Sequence, residues 1–181
     1  SFEGTPGQAP NGWRGAAGHW VLAEAPDAAR GPTALLQDGA ADPWTVLLRD
    51  GAYTGDLTVS VRFKPVSGKE DASGGIAFRA QDAENYLLVR ANALEGNLRL
   101  YSVTGGRRET LASAEVEPPA LGAWHVLEVA LQGNEAACSL DGRPTLRHVL
   151  EGNVWPSGRV GLWTKADSRT AFDDVLILRL K

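Results

Sequence analysis

The sequence has no methionine and a single cysteine, Cys138. One thiol excludes an internal disulfide, so the fold must rest on its packed core. Cys138 sits in the alternating stretch "AACSLDG", where a buried, inert thiol is expected. Histidine is nearly as scarce. His19, His125 and His148 stand far apart, with no His-x-x-x-His spacing and no cysteine partner, so the sequence offers no metal-ligand cluster. No apolar run approaches the roughly 18 residues of a membrane-spanning helix. A basic excess is missing too: 18 Lys and Arg stand against 22 Asp and Glu, for a formal charge of −4. Neutralising phosphates needs clustered cations, so a nucleic-acid partner is not expected. The first residues, "SFEGTPGQAP", show no charged segment leading into an apolar one, so no leader is read in this sequence.

What is present points to strands. The 181 residues are 43% apolar and 22% charged, a globular composition. An all-β sandwich of this length is ordinary, and a single domain over residues 1–181 is expected. "DLTVSVRFKPV" alternates apolar and polar residues. "WHVLEVALQG" puts Leu127, Val129 and Leu131 on one face. "EAACSLDGRPTLRHVL" reads as a hairpin about Asp141-Gly142. The whole chain accommodates roughly ten to thirteen such strands, with 21 glycines and 10 prolines spread among the turns. A monomer is expected.

The segment 74–103, "GGIAFRAQDAENYLLVRANALEGNLRLYSV", reads as three successive strands. If Ile76 and Phe78 face the core, alternation sends Arg79, Tyr86, Arg90, Asn92, Arg99 and Tyr101 to the other face. "GLWTKADS" sends Trp163 and Lys165 outward in the same way. Arginine forks and aromatic rings on a rigid sheet suit a carbohydrate or another polar small molecule, because rings cover the apolar face of a sugar and guanidinium donors meet its oxygens. Alternation alone favours a solvated face covered by long side chains. The proposed ligand floor is therefore Arg79, Tyr86, Arg90, Asn92, Tyr101, Trp163 and Lys165. Trp20, Trp124 and Trp155 flank strands and read as structural; Trp13 and Trp44 carry no assignment.

Paired carboxylates would signal a glycosidase, but no E-x-D-x-E strand pattern occurs. Asp82, Glu84, Glu95 and Asp167 lie in loops near the segment and are the available acid–base candidates, though turn carboxylates are common. There is no G-x-S-x-G and no phosphate-binding glycine loop. Asp173 opens the last strand and is a candidate ligand for a structural calcium ion, with strand-end capping as the alternative.

In order along the chain, "SFEG", "GHWVL", "VSVRFKPVSG", "GGIAFRAQDAENYLLVRAN", "WHVLEVALQG", "GLWTKADS" and "FDDV" resemble the concanavalin A-like domains of the 3-keto-disaccharide hydrolase family, formerly a domain of unknown function. Laminin-G-like and family 16 glycoside hydrolase domains are related to these. The resemblance implies a jelly-roll sandwich of two antiparallel sheets with a concave face. It also implies a secreted or periplasmic bacterial setting. The family 16 carboxylate set is absent here. A carbohydrate-binding module, a hydrolase or lyase of 3-keto-disaccharides, and a structural module of a larger exported protein are the three functions this implies.

Overall fold

The computed structural model describes residues 1–15, 17–151 and 155–179. Among these there are fifteen strands and no helix. They form two antiparallel sheets, as expected from the period-two pattern.

The larger sheet runs in the order β1 (Trp13–Gly15), β4 (Ala41–Arg49), β14 (Ser157–Ala166), β7 (Ser73–Ala80), β8 (Tyr86–Asn92), β9 (Asn97–Thr104), β10 (Arg107–Glu115), with β5 (Tyr53–Thr54) paired to β14. The smaller runs β13 (Arg143–Val149), β12 (Glu135–Leu140), β11 (His125–Gln132), β6 (Leu57–Ser67), β15 (Arg169–Arg179), β3 (Thr33–Gln37), β2 (Trp20–Glu24). Segment 74–103 folds as the three consecutive strands β7, β8 and β9. The alanines and leucines of "DAENYLLVRANALEGN", favourable in a helix, are drawn instead into two ladders, Ile76 opposite Val89 and Val89 opposite Leu100. The Asp141-Gly142 turn is found where expected; both residues adopt positive φ, 51° and 72°, as a tight hairpin of right-handed twist requires.

Between the sheets lies a core of alternate residues: Leu57, Val59, Val61 and Phe63 from β6, Leu127, Val129 and Leu131 from β11, and Ile76, Phe78, Leu87, Val89, Leu98 and Leu100 from β7 to β9. Burying such side chains supplies the main driving force of folding. Cys138 belongs to this core and is 2% exposed. Burial pushes its thiol up to about 12. We expect iodoacetamide at pH 8 to leave the native thiol unmodified while the unfolded chain reacts fully. Rapid native alkylation, read by intact mass, would contradict this burial.

The two sheets differ on their outer faces. Strand β6 alternates buried and half-buried residues, the pattern of a sheet wet on one side. Strands β7 and β8 are buried at every position. Something therefore covers the outer face of the larger sheet, and the curvature of that sheet supplies it. Arg108 on β10 and Trp44 on β4 stand five strand spacings apart, about 24 Å on a flat sheet. Yet the Arg108 guanidinium carbon is 5.1 Å from the Trp44 ring. The two side chains cannot bridge that span, so the sheet curls with this face inside the bend.

Candidate functional site on the concave sheet

Register places the concave-face side chains in rows across the strands. One row holds Leu48, Gly161, Ala77, Leu88 and Tyr101; the next holds Val46, Trp163, Gly75, Arg90 and Arg99. The small residues in the middle have a purpose. A Cβ on Gly75 would lie 2.9 Å from the Val89 carbonyl oxygen, and one on Gly161 would lie 2.8 Å from that of Leu47. Glycine there lets Leu88 and Leu48 pack directly against the backbone, at 2.8 and 2.7 Å from where a Cβ would stand. Trp163 and Tyr86 are buried beside them, and the Trp163 indole N–H donates to the Tyr86 hydroxyl at 3.2 Å. With Val46, Leu48, Ala77, Leu88, Tyr101 and Val103 they form a second apolar cluster, separate from the core between the sheets. Burial raises the Tyr86 hydroxyl to about 12.

A polar network borders this cluster. Arg90 donates to Asn97 Oδ1 at 3.0 Å and to the Tyr101 hydroxyl at 2.8 Å, and it pairs with Glu95 at 3.4 Å. Arg99 pairs with Glu95 at 3.2 Å. Asp71 is fully buried; it accepts from Asn92 Nδ2 at 3.1 Å and from the Ser73 and Ser168 hydroxyls, with Lys165 Nζ at 3.7 Å.

The upper layer of the face is Trp44 and Arg108, both half-buried. Trp44 and Trp163 have ring centroids 6.3 Å apart. The Arg108 guanidinium carbon lies 4.5 Å from the Tyr101 ring centroid and 5.7 Å from that of Trp163. Sequence reasoning assigned no role to either residue. Trp44, Val46 and Leu48 alternate on one strand, which could have flagged Trp44. Arg108 had no comparable signal, because a register shift between Thr110 and Ala112 breaks the alternation of β10.

The sequence-selected residues are distributed as follows. Tyr86, Arg90, Asn92, Tyr101 and Trp163 share the concave side, but each is at most 2% exposed. They form the layer beneath Trp44 and Arg108. Lys165 lies at the edge and is half-buried. Arg79 is a correction: it does not join this face. A bulge opposite Arg159 and Gly161 puts Arg79 at φ 48°, and its Nη2 donates to the Gly133 carbonyl of the opposite sheet at 2.6 Å. Gly158 accommodates the bulge, since a Cβ there would meet the Arg79 carbonyl carbon at 2.3 Å. One left-handed residue reverses the alternation from which Arg79 was placed.

The acid–base candidates are engaged in local structure. Asp82 accepts from the Glu84 N–H at 2.8 Å and from Asn85 Nδ2, and the Glu84 bond leads in holding its carboxyl below the ordinary range. Asp167 accepts the N–H groups of Lys69, Glu70 and Asp71 and is lowered for that reason. Burial would raise Glu95, but Asn97, Arg90 and Arg99 outweigh it and keep it low. A glycosidase acid needs the opposite shift, a carboxyl raised so that it still holds a proton. Glu84 is exposed, and its carbonyl accepts from Gly106.

Asp173, the candidate calcium ligand, is fully buried beneath the segment 25–32. Its Oδ2 accepts the N–H groups of Ala29 at 2.9 Å and Arg30 at 3.2 Å, while Oδ1 has no partner. Among the described residues no three His, Cys, Asp or Glu side chains are grouped to hold a metal. A cation at Asp173 would thus depend on backbone carbonyls.

Two open clefts, about 650 and 510 Å³, lie elsewhere, around Pro118 and Asp141 and along β11 and β12; neither contains a sequence-selected residue. On the concave face the rings of Trp163, Tyr86 and Tyr101 are buried side by side in the second apolar cluster. None of the helices needed to cross a membrane exists among the described residues.

No family model matches the chain, and no curated protein matches it in sequence. Solved structures do match. The carbohydrate-binding module CBM66 from Bacillus subtilis aligns with a TM-score of 0.76 at 21% identity, over 92% of this chain and 95% of that one. A toad ovary galectin in complex with thio-digalactose aligns at 0.57 and 15%, over 76% and 99%. A Parabacteroides distasonis ATCC 8503 protein, provisionally assigned as a glycosyl hydrolase, aligns at 0.66 and 15%, over 94% and 100%. The motif resemblance is upheld at the level these likenesses reach: the chain is an all-β jelly-roll sandwich of two antiparallel sheets.

Proposed function

We propose that the protein is a carbohydrate-binding module whose ligand rests on the concave face of the larger sheet. The observation that carries this reading is Trp44, a half-buried ring tilted over the buried Trp163 and bordered by the guanidinium of Arg108. An aromatic ring held from one side by Trp163 offers a sugar ring an apolar seat at low ordering cost, reached when the Arg108 guanidinium that lies over it moves aside. Lys165 and the Glu95–Arg99 pair supply polar groups around it. Arg90, Asn92, Tyr86, Tyr101 and Trp163 hold this layer in place. Two of the similar structures, a carbohydrate-binding module and a galectin, carry sugar-binding descriptions that agree with the reading.

A hydrolase acting on 3-keto-disaccharides is the alternative attached to the motif resemblance. It finds less support, because Asp82, Glu95 and Asp167 are all held ionised and none serves as a proton donor near neutral pH. A purely structural module would use the filled face as packing and bind no sugar.

The test is a glycan array followed by calorimetric titration of the best binder. Trp44→Ala should weaken affinity on the order of tenfold, the size of one stacking contact. Equal affinity in both proteins would remove Trp44 from the site. Absence of binding to every glycan would remove the carbohydrate reading.

A further inference from the structure

Arg108 is a cation without an anion. Its Nη1 is buried and has no hydrogen-bond partner, and among the described residues no carboxylate forms an ion pair with it. The carboxylates of the concave side are committed elsewhere. Glu95 is shared by Arg90, Arg99 and Asn97. Asp71 is held by Ser73, Ser168 and Asn92, with Lys165 beside it. On the same strand Glu109 directly follows Arg108, so alternation sends it to the opposite face, and Glu115 is seven residues and roughly 23 Å away; both are exposed.

The rings of Trp44, Tyr101 and Trp163 stabilise the charge of Arg108 through their faces. They offer its N–H groups no acceptor. A second donor on the same floor is in the same state: Arg90 Nε is buried without a partner. The Arg90 and Arg108 guanidinium carbons lie 5.7 and 4.5 Å from the one Tyr101 ring, so both cations are held against the same aromatic side chain. A buried donor without an acceptor is costly, more so when charged. A sugar hydroxyl would satisfy one donor and leave the charge uncompensated. A carboxylate would match the planar fork of a guanidinium with two oxygens and cancel the charge.

We infer that the ligand is an acidic sugar, a uronate-containing oligosaccharide whose ring stacks on Trp44 and whose carboxylate is taken by Arg108. This rests on the carbohydrate-binding reading above and names the class of sugar. In the absence of ligand, the Arg108 guanidinium lies on the aromatic platform. Engaging a carboxylate turns the same group into the anchor at the platform's edge. The preference is electrostatic and weakens with salt.

The experiment uses the whole chain and paired probes: oligomers of galacturonate, glucuronate and mannuronate, each beside its carboxyl-reduced neutral counterpart. Titration calorimetry at low ionic strength should give at least one pair in which the uronide binds about tenfold or more tightly than its neutral partner. The Arg108→Gln protein, checked for an unchanged fold by circular dichroism, should lose that preference. Arg108→Lys, which keeps charge but not the fork, should retain part of it. If the neutral members bind as tightly as the uronides, or if the preference persists in Arg108→Gln, the acidic-sugar inference fails while the carbohydrate reading stands. If no member of any pair binds and a wider glycan array is also blank, both fail.

Discussion

Trp163→Ala should destabilise the protein by about 3–5 kcal/mol, the cost of emptying a fully buried aromatic site. For a chain of this size about 2–4 °C of melting temperature accompanies each kcal/mol, so the midpoint should fall by well over 5 °C. The reason is positional. Trp163 is 0% exposed, stands opposite Gly75 in the ladder, and packs against the Trp44 ring with the Arg108 guanidinium carbon 5.7 Å from its centroid. The flanking residues are on separate strands whose register is set by the ladders, so they close over the vacated space only in part. The Tyr86 hydroxyl would also lose the indole donor that reaches it at 3.2 Å. Trp163→Phe keeps part of the buried ring while removing the hydrogen bond and some volume, so its cost should lie between about 1 kcal/mol and that of Trp163→Ala. Denaturant unfolding of the three proteins checks the ranking. A Trp163→Ala loss below about 1 kcal/mol would mean that the ring is not packed as described. Glycan affinity should fall as well, since Trp44 would lose the surface that holds its tilt.

Asp71→Ala is the second large effect, at about 3–5 kcal/mol, as for removing one member of a buried charged network. Asp71 is 0% exposed and joins three places in the chain. Through Ser73 it meets the start of β7, through Asn92 the end of β8, and through Ser168 and Lys165 the turn between β14 and β15. Removing the carboxylate leaves the Asn92 amide and two hydroxyls without their acceptor and Lys165 without its counter-charge. Asp71→Asn keeps the volume and should cost less, about 1.5–3 kcal/mol, the value of hydrogen bonds to a charged group. Urea denaturation with an unchanged m-value would assign the loss to the folded state. Equal stability of wild type and Asp71→Ala would show that the network is dispensable. Asp71 was not singled out in the sequence, although Asn92 and Lys165 were; the residue connecting them is distant from both in sequence and adjacent only in space.

Much of the fold is legible because a strand's period is local. Leu87, Val89 and Ala91 against Tyr86, Leu88 and Arg90 is a statement about successive Cβ directions, and the structure keeps it on β8 and again on β9. The Asp141-Gly142 turn is legible for a similar reason, since its backbone angles are local preferences of those residues. The site is less legible. Arg79 was placed by the same alternation and is on the wrong side of it, because a bulge is paid out over one residue and leaves no mark in composition. Arg108 stayed invisible behind the register shift of its own strand.

Alternation also says which face a side chain takes, not whether that face meets water. The sequence by itself determined an all-β chain, the three-strand order of segment 74–103, and the shared side of Tyr86, Arg90 and Tyr101; the pairing of β14 with β7 brought Trp163 to that side. Only the tertiary structure decided that this side is concave, that its rings are buried in a second apolar cluster, and that Trp44 and Arg108 form its accessible layer. The physical reason is curvature: residues five strands apart meet only when the sheet bends, and bending is a property of all its ladders together.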